Sequence, residues 1–137
     1  MDAIIVKYAL INIVLAMILF YLGRTIHEYG HFFVARWYKI QNIKIDLNFF
    51  RDPFKGAKIT FDDQYYDRLS KNKKCLLLFS GLIPQNIFYF VVLWLGLSLN
   101  IDWRFKFLFT LIMLVLIIPE WIINFKKDGD LNRLVGL

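Results

Sequence analysis

Residues 3–38 read AIIVKYALINIVLAMILFYLGRTIHEYGHFFVARWY, and the fold turns on how this run is interpreted. As far as Leu22 only Lys7 and Asn12 interrupt it strongly, and the helical pattern then continues through Gly23 to Tyr38. A secretory signal would be shorter, with a small-residue cleavage site after a brief apolar core, so a retained helix is expected. At about 1.5 Å per residue this helix is roughly 54 Å long, more than the ~30 Å of a hydrocarbon layer, so it must tilt or protrude. The group Arg36, Trp37, Tyr38, Lys39 has the character of an interfacial anchor and places one membrane surface there.

Two further apolar segments follow. Residues 75–99 contain no charge, and residues 107–125 are mostly apolar with the single charge Glu120 after Pro119, where the helix is expected to break inside or at the edge of the membrane. The whole chain has 137 residues, room for one domain, and its hydrophobic share is 58% with a mean hydropathy of +0.50. With 14 Phe, 7 Tyr, 4 Trp, 7 Gly, 3 Pro and the single Cys75, it is neither disordered, collagen-like nor a disulfide scaffold. The net charge of +6 fits a membrane better than a nucleic acid, because most of the positive charge sits between apolar segments and no DNA- or RNA-binding motif is present. Residues 39–74 carry nine Lys or Arg, against two in the loop near Asp102, so the larger loop is expected in the cytoplasm, with the N-terminus outside and the C-terminus inside.

Within that loop Ile43, Ile45, Leu47 and Phe49 alternate with Lys44, Asp46 and Asn48; Asp52, Pro53, Lys55 and Gly56 interrupt; then Ala57, Ile59 and Phe61 alternate with Lys58 and Thr60. This pattern predicts a β-hairpin over 43–61, either an edge that pairs with an extended peptide or one resting its apolar face on lipid or on the helices. The polar stretch 62–74 is expected to be helical or irregular. The resulting expectation for residues 1–137 is a single all-α membrane protein: a three-helix transmembrane core, spans near 3–38, 75–99 and 107–125, with a small cytoplasmic-side hairpin.

The only two histidines, His27 and His31, stand four apart in HEYGH, an HExxH motif. Residues four apart share a helix face, so both imidazoles can reach one Zn²⁺ at about 2.0–2.1 Å while Glu28 sits beside them as a base rather than a ligand. Ionisable groups among Ile, Tyr and Phe are costly in a membrane helix, which favours a functional explanation over chance spacing. A catalytic zinc takes three protein ligands and keeps an open position. With no other histidine, and Cys75 better explained as a packed small residue, the third ligand narrows to Glu120, Asp128 or Asp130. Asp128 is preferred, since Gly129 after it lets the backbone turn back towards the bundle.

With HEYGH in the first span, Gly81, Pro84 and Asn86 in the second, and Asp128-Gly129 after the third, the chain resembles the site-2 protease family of intramembrane zinc metalloproteases over nearly its whole length. The resemblance implies zinc held by His27, His31 and Asp128, Glu28 as general base, and a role for Asn86 in holding substrate or the developing oxyanion. The expected activity is an intramembrane zinc endopeptidase acting on a membrane-spanning or membrane-associated peptide, in a bacterial cytoplasmic membrane, with the site towards the cytoplasmic face. The alternative is a noncatalytic zinc-binding membrane protein that binds a peptide or a partner helix.

Overall fold

The computed structural model describes residues 3–47, 57–60 and 63–124. They form α1 (Ala3–Trp37), β1 (Lys44–Leu47), β2 (Ala57–Thr60), α2 (Asp63–Asp67), α3 (Lys71–Ser98) and α4 (Trp103–Asn124). Mostly helical with one small antiparallel hairpin, this is the architecture expected in outline, and α1 and α3 are each long and apolar enough to cross a membrane.

The first helix ends where its backbone turns left-handed. Lys39 has φ 58°, its N–H bonds Arg36 O at 3.0 Å, and the Ile40 N–H reaches back to Ala35 O at 3.0 Å. That bond pattern is a Schellman cap, closed by the apolar contact of Ile40 with Ala35. The second long helix begins at Lys71, four residues before the charge-free stretch, because the chain is already helical through Lys71, Lys73 and Lys74. Lys73 and Lys74 lie over the rings of Tyr38 and Tyr66, 5.4 and 5.0 Å from the centroids. The third long helix begins at Trp103 rather than 107: Asp102 accepts the Arg104 N–H through Oδ1 at 2.8 Å and caps it. It also continues past Pro119 to Asn124, so the expected break is not found; a proline forfeits one backbone bond without obliging the helix to end.

Helices α1, α3 and α4 pack around one seam. Leu19, Tyr89, Phe109 and Met113 are its buried members, with Leu15, Phe88, Val92 and Phe105 packed against them. A second cluster of Ala35, Ile40 and Leu77, joined by Tyr38, Ile43, Tyr66 and Leu69, ties the ends of α1 and α3 to the start of the hairpin and to the short segment after α2. Much of the outward surface is apolar, with Leu10, Val14, Phe33, Trp94, Phe107 and Val115 all exposed.

The hairpin lies within 43–61 as expected. β1 and β2 are antiparallel with Lys44 opposite Thr60, Ile45 opposite Ile59, Asp46 opposite Lys58 and Leu47 opposite Ala57. It is β2 that makes the broader contact with α1.

Candidate metal centre

Helices α1 and α3 run antiparallel, and their contacts descend in step: Gly23 lies against Tyr89, His27 against Gln85, Gly30 against Ser80 and Pro84, His31 against Leu77. Small residues make this approach possible. A Cβ on Gly30 would run into the Ser80 backbone, and a Cβ on Gly81 would enter the space in front of both imidazoles, 2.8 Å from His27 Nε2. On α3, Leu77, Gly81 and Gln85 are spaced by four and therefore form one stripe, which faces the HEYGH turn.

His27 and His31 are both buried, with rings edge to face, centroids 4.7 Å apart and planes at 80°. Each is held from behind by its Nδ1. His31 Nδ1 lies 2.7 Å from Leu77 O, a backbone carbonyl that can only accept, so the ring proton belongs on Nδ1 and the Nε2 lone pair is left facing forward. Ser80 Oγ donates to the same carbonyl at 2.6 Å and reinforces the arrangement. His27 Nδ1 lies 2.8 Å from Gln85 Oε1 and donates to it in the same sense. The two Nε2 atoms then face each other at 3.0 Å. Two lone pairs at that distance repel unless a proton or a metal cation is shared between them. Two ligands of a tetrahedral zinc, with bonds of 2.0–2.1 Å, stand about 3.3 Å apart, close to what is found. The converging nitrogens, the carbonyl acceptors behind them and the space that Gly81 leaves open all fit a divalent metal.

Glu28 is buried, and both of its carboxylate oxygens are engaged. Its Oε1 is 3.7 Å from Arg24 Nη2, one turn earlier on α1, and its Oε2 accepts the backbone N–H of Ile59 at 2.8 Å. The carboxylate is thus positioned beside the two histidines, between a guanidinium and the outer edge of β2.

Asn86 is not brought to the histidines. Its Nδ2 donates to Leu82 O at 2.7 Å and its Oδ1 accepts the Trp121 indole N–H at 3.1 Å, so it ties α3 to α4. One residue along a helix turns the side chain by about 100°, and it is Gln85 that faces the histidine pair. Gln85 belongs to no motif in the sequence; its spacing of four from Gly81 is the signal that marks it. Asp128 and Asp130 lie outside the described residues, and of Glu120 only the backbone, inside α4, is described. Among the described residues no third His, Cys, Asp or Glu completes a metal-binding group. On the flank of α1 next to the pair, Thr25, Ile26, Tyr29, Gly30 and Phe33 form with Pro84 an apolar cleft of about 320 Å³.

Compared with protein-family models, with curated proteins and with solved structures, the chain matches none.

Proposed function

We propose that this chain is an intramembrane zinc endopeptidase of the site-2 protease type, cleaving a peptide bond in or beside a membrane segment of its substrate. The observation that carries the reading is the pair of buried imidazoles whose Nε2 atoms converge at 3.0 Å with both Nδ1 atoms tied behind them, one residue from a buried carboxylate. Such an arrangement is expensive among apolar helices unless it serves a bound cation.

His27 and His31 would hold the zinc, with Asp128 as the third ligand. Reach favours it: Trp121 bonds Asn86, the neighbour of Gln85, so the end of α4 stands level with the histidines. Asp128 follows four residues after Asn124, a span of up to roughly 13 Å. When bound, zinc supplies Lewis acidity, polarising the scissile carbonyl and acidifying water. Glu28 takes the proton from the attacking water and returns it to the departing amine, so the carboxylate must stay close to the metal without joining it. Arg24 and the Ile59 N–H hold it there in the absence of substrate.

A helical carbonyl is already hydrogen-bonded, so the substrate must be extended where it is cut. The outer edge of β2 suits such a strand. Ile59 turns its N–H away from β1 and towards Glu28, which puts the outer strand edge within hydrogen-bond reach of the base. The exposed apolar faces of α1 and α3 suit a lipid surround, and the basic loop orients the site towards the cytoplasm.

The test is Glu28→Gln in a chelator-sensitive cleavage assay on single-span substrates, read beside metal content. Zinc should stay and cleavage should vanish; zinc with full cleavage would remove Glu28 as the base. A noncatalytic zinc-binding role is the second reading, favoured by the engagement of both Glu28 oxygens. It predicts zinc without cleavage in the unaltered chain.

A further inference from the structure

We infer that Gln85 is a positioning residue for the metal: it fixes the tautomer and the aim of His27. The inference rests on the metal site proposed above and is independent of peptidase activity. Gln85 is 1% exposed, on the α3 stripe that faces the histidines, and the hydrogen bond its side chain makes is to His27 Nδ1 at 2.8 Å. Its amide Nε2 has no hydrogen-bond partner among the described residues. A leucine would fill the same volume without burying an unmet donor, so helix packing alone gives no reason for an amide here.

The contact to His27 supplies one. An imidazole has two tautomers, and only the one with its proton on Nδ1 presents a lone pair on Nε2, the atom that faces His31 Nε2. For His31 the choice is made by the Leu77 carbonyl, which cannot donate. At His27 Nδ1 the acceptor is a side-chain carbonyl, Gln85 Oε1, which performs the same function. Loss of such an outer partner of a metal-binding histidine weakens metal affinity by about 10- to 100-fold. The amide must therefore present its oxygen, not its nitrogen, to the ring. A carboxylate, which only accepts in its ionised form, can do the same.

The experiment compares Gln85→Leu and Gln85→Glu with the unaltered protein, purified in detergent. Zinc affinity is read by competition against a chromogenic chelator, and thermal melting is read on the metal-free forms. Gln85→Leu should bind zinc about 10- to 100-fold more weakly while melting no lower than the unaltered protein. Gln85→Glu should restore or exceed the original affinity. A residue serving only helix packing would lower the melting temperature of Gln85→Leu and leave its affinity alone, which overturns the inference. If Gln85→Leu does not fold, Gln85→Glu decides alone: affinity at or above the original supports the assignment, and a tenfold loss overturns it. An unaltered protein that binds no zinc would instead overturn the metal site itself, and the inference with it.

Discussion

Gly81→Ala adds a single methyl group, and the structure says where it goes. The new Cβ would stand 2.8 Å from His27 Nε2 and nearer still to His31 Nε2, whereas ordinary contact begins at 3.4 Å, so the His27 ring must retreat by about 0.6 Å. Metal–ligand bonds tolerate about ±0.2 Å. The imidazoles cannot yield freely, because Gln85 and Leu77 hold them from behind and α3 closes the front. Overpacking of this kind costs typically about 1–3 kcal/mol. Charged to the metal-bound geometry, that is roughly a 5- to 150-fold weaker zinc affinity, at 1.4 kcal/mol per factor of ten. The assay is chelator competition in detergent, with helical content from circular dichroism as the control for folding. A folded Gly81→Ala protein that binds zinc as tightly as the parent would refute the reasoning, since the cradle would then not be where the metal sits.

Three further outcomes follow from particular contacts. Asn86→Leu removes the α3–α4 bond to Trp121 and should cost about 0.6 kcal/mol in unfolding experiments, the average for a hydrogen bond between membrane helices, with zinc and cleavage intact; a stable variant that has lost cleavage would return Asn86 to the substrate. Asp128→Ala should lose its zinc by elemental analysis while Glu120→Ala keeps it, and the reverse result would make Glu120 the third ligand. Lys39→Gly should raise the unfolding free energy by about 0.5 kcal/mol, as relief of roughly 1–2 kcal/mol at a left-handed residue exceeds the roughly 0.5–1 kcal/mol of extra chain entropy a glycine loses; a lower melting temperature would contradict the cap.

The HEYGH turn was legible because a spacing of four on a helix is a local property, and so was the hairpin, whose alternation belongs to two short segments. The helix starts were less so. Hydropathy marks where charge stops, whereas Lys71–Lys74 are helical and charged together, and Asp102 caps a turn that hydropathy leaves in the loop. The continuation of α4 past Pro119 to Asn124 is likewise not marked by any local pattern, since the proline itself signals a break. What could not be read was the register between helices. Asn86 looks the more notable polar residue in the sequence, but the facing of Gly23 with Tyr89 and Gly30 with Ser80 turns Gln85 to the histidines and sends Asn86 to Trp121. The contact of Glu28 with Ile59, across 31 positions, is also invisible to any local pattern.

The central claim is that His27 and His31 jointly hold a divalent metal, and metal content addresses it without reference to substrate. Elemental analysis of the purified chain beside His27→Ala and His31→Ala should find one zinc per chain in the first and none in either variant, with all three folded. Equal zinc in all three, or none in the unaltered chain after reconstitution with the metal, would contradict the account.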